Sequence, residues 1–401
     1  MAAADWSMLP SDPISRIGDF LLAADDFDCY DNLRLVCRMW RSGTTDPTTA
    51  DFEDARFLPK KLAMLELDAN PRSGDRVAVA TFVNLDSGRF LRKRVPGLRS
   101  YFFVAVTASG LVVLSEVAPP HETRVLNPFT GKVVRFRAAI HAEEVREVAV
   151  TTSPLMVFVS WFQGRSVRWA DQDTEGFPEV MVYFPDNFMN LTPFAGEVYV
   201  TNLGSIVSTV LTEDEEEEGE QQGGQQPRTA DTIAMIPIIR APPPIVELDA
   251  YVHHLVESAG ELLLVSVLWR RHLVHKVDTV NKVFVPVRSL GNRSIFVSQI
   301  RSFSVDADKF PTVEAGCVYF VEPDLATYEC FHLADGRLEE AIPMVNRRRA
   351  AEAESCVLPL TLEQVMVNYC VDTENSSELE IAPDTDDEEF FLPEAEDYGS
   401  N

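Results

Sequence analysis

Apolar residues change period once along this chain, near residue 60. Before that point Ile14, Ile17 and Leu21 recur at i, i+3 and i+7, and Leu33, Val36, Cys37 and Trp40 at i, i+3, i+4 and i+7. Both spacings gather the apolar groups on one face of a helix. Asp12 before Pro13 suits a helix start, with Asp12 as cap and Pro13 in the first helical position. Asp28 or Asp31 is the candidate cap of the second helix. A unit of about 40 residues is too small to bury Ile17, Leu21 and Trp40 by itself, so an apolar surface is expected to remain for a partner.

After residue 60 the helical period gives way to short Val-, Leu-, Phe- and Tyr-rich runs separated by Gly, Asp-Gly, Asn and Pro, the pattern of an all-β array. An internal repeat runs through it. Ser109-Gly110, Ala195-Gly196, Ala259-Gly260 and Ala315-Gly316 each precede an apolar run. Gly131-Lys132-Val133 and Asn281-Lys282-Val283 follow Gly110 and Gly260 by 21 residues, and Gly336-Arg337-Leu338 follows Gly316 by 20. That offset fits strand, hairpin, strand, turn, strand, which is most of a four-stranded blade. Counting 21 from Gly196 lands on Glu217, inside an acidic run. Residues 212–231 therefore read as a disordered insertion in that hairpin, with the strand resuming near Ile233.

Repeats of this size over residues 51–371 predict a β-propeller of six or seven blades. Radial closure leaves only short, protected strand edges. Two stacked β-sandwiches are the alternative. The closing strand is expected from Val357–Leu360 or Val365–Tyr369.

Two resemblances add to this. Trp6-Ser7-Met8-Leu9-Pro10, the spaced Ile and Leu residues, Asp25-Asp26 and Val36-Cys37-Arg38-Met39-Trp40-Arg41 together resemble the F-box. The resemblance implies a three-helix unit in residues 1–50 that binds a Skp-type adaptor and through it a cullin. The adaptor-binding residues it implies are Leu9, Pro10, Ile14, Ile17, Leu21, Leu33, Val36, Cys37 and Trp40. Pro13 stands where that family usually has leucine, and Gly18 weakens the first helix by about 1 kcal/mol relative to alanine. Further on, Ser289-Leu290-Gly291-Asn292-Arg293-Ser294-Ile295-Phe296 and Leu126-Asn127-Pro128-Phe129-Thr130-Gly131 are similar to motifs of the plant F-box-associated β-propeller family. Gly260–Val265 and Cys317–Phe320 match it too. Asn292 replaces the usual aspartate.

Charge alters the picture at two places. Of the formal −28, the run 213–220 supplies seven acids, and Asp372–Asp397 supplies twelve with no Lys or Arg. The remaining body is near −9, and residues 372–401 read as a disordered acidic tail. Phosphate neutralisation by a basic field is disfavoured, so no nucleic-acid partner is expected. Arg92-Lys93-Arg94 and Arg347-Arg348-Arg349 read as solvated loop charges. The first residues carry no basic and apolar leader, and no apolar run approaches membrane-spanning length. With six scattered cysteines and no C-x-x-C pair, a reducing compartment follows, cytoplasm or nucleus.

Catalytic chemistry is not legible. There is no G-x-S-x-G elbow, phosphate-binding loop or H-E-x-x-H. His272 and His275 fall in a strand-like run, where i and i+3 face opposite sides. Cys317 and Cys330 are too far apart in sequence to suggest a site, so neither metal nor cofactor is expected. Taken with the resemblances, the chain reads as a non-catalytic substrate-recognition subunit of a Skp–cullin–F-box ubiquitin ligase. Its unknown target would be held by the propeller. The alternatives are a scaffold or acidic-tail chaperone for basic proteins, and an enzyme or lectin with a ligand in a central channel.

Overall fold

Three helices precede the sheets in a computed structural model. It describes residues 9–68, 77–96, 98–141, 145–161, 167–180, 190–201, 206–212, 233–240, 252–268, 271–322, 326–344 and 360–371. Trp6, the acidic run from 213, the triple arginine at 347–349, residues 357–359 and the acidic tail lie outside these.

Helix α1 (Ser11–Ala23) begins directly after Pro10, two residues before the expected start. Pro13 is still tolerated, because the first-turn N–H groups have no intrahelical partner. Asp26 caps α2 (Phe27–Leu35), accepting from the Cys29 N–H at 3.2 Å; Asp28 and Asp31 do not. A short α3 (Arg38–Ser42) follows an extended Cys37, with φ −161° and ψ 174°. Leu33, Val36, Cys37 and Trp40 therefore do not share one helix, which corrects the single-face reading. Gly18 has a packing reason: a Cβ there would stand 3.0 Å from Tyr30 Cε2 and 3.2 Å from Thr44 Cγ2.

Among the described residues the strands form six sheets. The first holds β1 (Leu62–Asp68), β2 (Val77–Asn84) and β3 (Phe90–Pro96). The second holds β4 (Tyr101–Val106), β5 (Val112–Glu116), β6 (Glu122–Leu126) and β7 (Val133–Ala139). In the third are β8 (Val145–Thr152), β9 (Leu155–Trp161) and β10 (Val167–Ala170). The fourth runs β11 (Asn190–Phe194), β12 (Glu197–Thr201), β13 (Ile206–Thr212) and β14 (Ile233–Arg240). The fifth runs β15 (Val252–Ser258), β16 (Glu261–Leu268), β17 (Arg271–Asp278) and β18 (Val283–Val287).

The sixth sheet contains β19 (Arg293–Val297), β20 (Ser302–Asp306), β21 (Cys317–Glu322), β22 (Thr327–His332) and β23 (Ile342–Pro343), in the order β20-β19-β21-β22-β23. Its β19 and β21 are parallel; the other pairs are antiparallel. The regular succession of four-stranded blades expected from the repeat is thus corrected. Among the described residues only the second, fourth and fifth sheets have four strands.

Side-chain alternation turns these sheets into a ring. Successive residues of a strand face opposite sides, so one strand feeds two seams. Leu62 and Met64 pack toward the second sheet, with Phe103, Val112 and Leu114. Ala63 packs toward the sixth, with Phe296, Phe303 and Val305. Val113 and Phe136 join Val148 and Val159 between the second and third sheets. Phe158 and Trp169 meet Val198 and Val200 between the third and fourth, and Tyr199 meets Leu255 and Leu264 beyond. Val256 and Val265 close on Ile295 and Val318. Each seam joins neighbours, and the last returns to β1. This is the arrangement of an all-β propeller domain; among the described residues it lacks the six or seven regular four-stranded blades that the repeat predicts.

The repeat glycines mark its turns. Ala195-Gly196 and Ala259-Gly260 are two-residue hairpin loops with φ of 52° and 89°, and of 50° and 80°, the doubly positive pattern of a type I′ turn. Gly131, Lys282 and Gly336, at φ 72°, 56° and 72°, form the later turn of their sheets. Strands β13 and β14 pair with Thr212 opposite Ile233, so the acidic segment connects two adjacent strands.

The segment read as a closing strand at Val365–Tyr369 is instead helical. Helix α4 (Leu362–Val371) buries Met366, Val367, Tyr369 and Cys370 against the first and sixth sheets. Its final carbonyls are received there. Ser298 Oγ donates to the Cys370 carbonyl at 2.7 Å, and Arg301 donates to that of Tyr369 at 2.9 Å. Carbonyls of the last helical turn lack intrahelical partners, and this site supplies them.

Candidate functional site: the docked N-terminal helices

The helical unit has one face committed to the propeller. Ile14, Leu22, Phe27, Tyr30 and Leu33 are buried. Phe27 stacks on Phe129 with ring centroids 4.3 Å apart and planes at 16°. Tyr30 meets Phe57 edge-on at 5.7 Å and donates its hydroxyl to the Thr45 carbonyl at 2.8 Å. Arg34 is nearly buried, donating to the carbonyls of Thr44 and Thr45 at 2.9 Å each and to Asp46 at 2.7 Å. It fixes how the chain leaves α3.

Polar contacts hold the same interface. Asp25, at φ 52°, accepts from the backbone N–H groups of Lys60 and Lys61 at 3.0 and 2.9 Å. Burial pushes its carboxyl above the usual range, against the lowering effect of these two bonds. Two turn asparagines act as matched anchors. Asn84 Oδ1 accepts from the N–H groups of Asp86 and Ser87, and its Nδ2 donates to the Ala24 carbonyl at 3.0 Å. Asn127 Oδ1 accepts from Phe129 and Thr130, and its Nδ2 donates to the Phe57 carbonyl at 2.9 Å. Arg89 pairs with Asp26, and Lys93 with Asp31. Lys93 lies in β3, so Arg92-Lys93-Arg94 is a strand segment rather than the loop expected.

Large apolar side chains of the same helices stand open to solvent. Phe20 is 82% exposed, Leu35 69%, Val36 59%, Met39 52% and Ile17 40%. Ile17 and Phe20, three residues apart in α1, share a side. The nine residues singled out from the sequence therefore divide. Ile14 and Leu33 are buried within the helical unit; Pro10, Ile17 and Val36 are exposed; Leu9, Leu21, Cys37 and Trp40 are half-buried. Leu21 packs toward the core shared with the first two sheets. Phe20, Leu35 and Met39 were missed. The i, i+3 relation of Ile17 to Phe20 was an available signal; Leu35 and Met39 lie on different helices, so no single helical period links them.

Elsewhere the chemistry is mainly structural. His272 and His275 lie on β17, as expected of a strand; His272 sits 4.8 Å from the Phe331 ring and His275 6.1 Å from that of Phe284. On β15, burial depresses His254 to about 3 and His253 to about 4, so both are neutral imidazoles at ordinary pH. An open cleft of about 180 Å³ lies between Lys93, Arg94, Tyr101, Pro128 and Phe129, smaller than ordinary small-molecule sites. No helix among the described residues is long and apolar enough to cross a membrane.

The fold and this docked unit define a β-propeller protein. Residues 82–340 match the KIB1-4 β-propeller family, and the chain belongs to it. No curated protein matches the sequence. Among solved structures, the β-propeller domain of Myceliophteria thermophila Cps50 (Swd1) is similar at 12% identity and a TM-score of 0.29, covering 70% of this chain and 95% of that one. An auxiliary nutrient binding protein from Bacteroides thetaiotaomicron is similar at 8% identity and a TM-score of 0.30, over 73% of each chain. Apo AztD from Citrobacter koseri is similar at 10% identity and a TM-score of 0.30, over 70% of this chain and 86% of that one. A β-propeller domain fits a protein-interaction role.

Proposed function

We propose that this chain is the substrate-recognition subunit of a Skp–cullin–F-box ubiquitin ligase of plant origin, working in the cytoplasm or nucleus. The outward face of α1 to α3 binds a Skp-type adaptor and through it a cullin, while the propeller holds a protein target. One observation carries the reading. Five large apolar side chains stand exposed on a helical unit whose other face is fixed to the propeller. Water-exposed Phe20, Leu35 and Val36 gain free energy only when a partner covers them.

The chain itself does no bond chemistry in this scheme. Its contribution is geometric: a target on the propeller is kept near the ubiquitin-charged enzyme at high effective concentration. A docked helical unit suits that task better than a tethered one, since a floppy joint would dilute the target over a larger volume.

Affinity purification of the full chain from plant cells, with the proteasome inhibited, tests this reading. Recovery of a Skp-type adaptor with a cullin is expected. Recovery of basic proteins alone would contradict it and favour the acidic-tail chaperone.

A further inference from the structure

Strands β21 and β22 bring together two cysteines and a histidine that lie apart in sequence. Cys317 stands opposite His332, and Tyr319 opposite Cys330. Residues two apart on a strand face the same side, so Cys317, Cys330 and His332 converge on one face of the hairpin. Their donor atoms all lie within 4.8 Å of one another, and all three residues are buried. Cys317 and Cys330, too far apart in sequence to suggest a site, are here close in space. The distances along the chain concealed this proximity; the hairpin register supplies it.

We propose that Cys317, Cys330 and His332 bind a zinc-class divalent cation, with the exposed Glu314 beside His332 as the carboxylate that would swing to the fourth position. Cys317 Sγ is 3.4 Å from His332 Nδ1, and Glu314 Oε1 is also 3.4 Å from that nitrogen. With Zn–S near 2.3 Å and Zn–N near 2.0 Å, tetrahedral geometry puts the sulfur and nitrogen roughly 3.5 Å apart. The spacing already present is thus that of ligands sharing one ion. Glu339 Oε1 lies 3.1 Å from His332 Nε2, where a carboxylate orients a metal-bound imidazole and fixes its tautomer.

Arg337 also approaches Nε2, at 2.7 Å. In the metal-bound form Nε2 carries its proton toward Glu339. Arg337, more than half exposed, then keeps its ion pair with Glu339 at 3.3 Å. Glu314 is 59% exposed in its side chain, so the site opens to solvent on the side from which an ion enters. Two thiolates and an imidazole select zinc over magnesium, calcium or manganese. Each ion bound breaks two S–H bonds and releases two protons. The ion would clamp β21 to β22, and the proposal stands independently of the ligase reading.

Cobalt(II) titration of the reduced full chain is the test. One equivalent is expected to give a thiolate-to-cobalt charge-transfer band and the intense visible bands of tetrahedral cobalt, both abolished by added zinc. Cys330→Ser and His332→Ala should lose the spectrum. Glu339→Gln leaves the ligands in place and should weaken affinity about tenfold or more, which keeps the test meaningful if the buried variants fail to fold. Cys29→Ser with Cys37→Ser should change nothing. A folded chain with no tetrahedral cobalt spectrum would overturn the proposal, and so would a spectrum that survives in His332→Ala or an affinity unmoved by Glu339→Gln.

Discussion

The ring of Phe27 lies flat against that of Phe129, centroids 4.3 Å apart, although one opens α2 and the other sits in a turn of the second sheet. Phe82 also meets Phe129, at 5.1 Å. A helix, the first sheet and the second sheet therefore meet at one aromatic point. The N-terminal unit is part of the propeller's own core, and its outward face has a fixed direction relative to the sheets.

Truncating either ring should cost about 3–5 kcal/mol, the usual price of a buried Phe→Ala change. Phe27→Ala and Phe129→Ala together should fall short of additivity by about 0.5–1.5 kcal/mol, the worth of a direct ring pair. Urea denaturation of the two single variants and the double variant gives this coupling. Full additivity would mean that the stack contributes nothing to docking.

Asp25 should separate hydrogen bonding from charge. Asp25→Ala leaves the part-buried N–H groups of Lys60 and Lys61 without their acceptor and should cost about 1–2 kcal/mol. Asp25→Asn retains an acceptor and removes a charge that burial disfavours, so it should cost less than half as much. The sign of its pH effect follows. Its folded pKa is raised above the unfolded value, so falling pH protonates the folded form first, and stability through this group rises. Melting of both variants between neutral and mildly acidic pH checks the order.

His254 works in the opposite sense. Burial comes first, then electrostatic repulsion with the neighbouring His253, Arg146 and His272, and together they hold it at about 3. Below an unfolded value of about 6.5 the unfolded chain takes up a proton that the folded chain refuses. Its contribution is complete above that pH and is lost progressively down to about 3, by at most about 1.4 kcal/mol per pH unit. Stability measured in urea at steps from pH 7.5 to 5 should fall, and His254→Gln should flatten that slope. An unchanged slope would remove His254 as the cause.

Much of the fold was legible because the repeat glycines sit at turns. The 21-residue offset from Gly260 to Asn281 spans two strands and the hairpin between them. The matched turn at Asn84 to Arg89 went unnoticed, since no glycine-led strand of the same form precedes it. Val365–Tyr369 read as a strand from its Val and Tyr content, yet the docking site around Ser298 and Arg301 makes it a helix. Tertiary context overrides weak propensity. Of the nine candidate adaptor residues, periodicity located the helices but not which side each residue takes. Leu22, Phe27 and Tyr30 face inward because Phe57, Phe82 and Phe129 provide a core that the local sequence does not announce, while Ile14 and Leu33 are buried inside the helical unit, beside Gly43 and Gly18. Cys317 and His332 became neighbours only through register, which spacing along the chain does not reveal.

The most direct measurement is the affinity of a purified Skp-type adaptor for the full chain and for variants of the outer helical face. Leu9→Ala with Pro10→Ala, and separately Phe20→Asp with Val36→Asp, should each abolish measurable binding, because buried apolar anchors dominate such interfaces. The melt of the propeller should stay within a few degrees in both, since Phe20 and Val36 are exposed. Unchanged adaptor affinity in the Phe20→Asp, Val36→Asp variant, with the fold intact, would contradict the account.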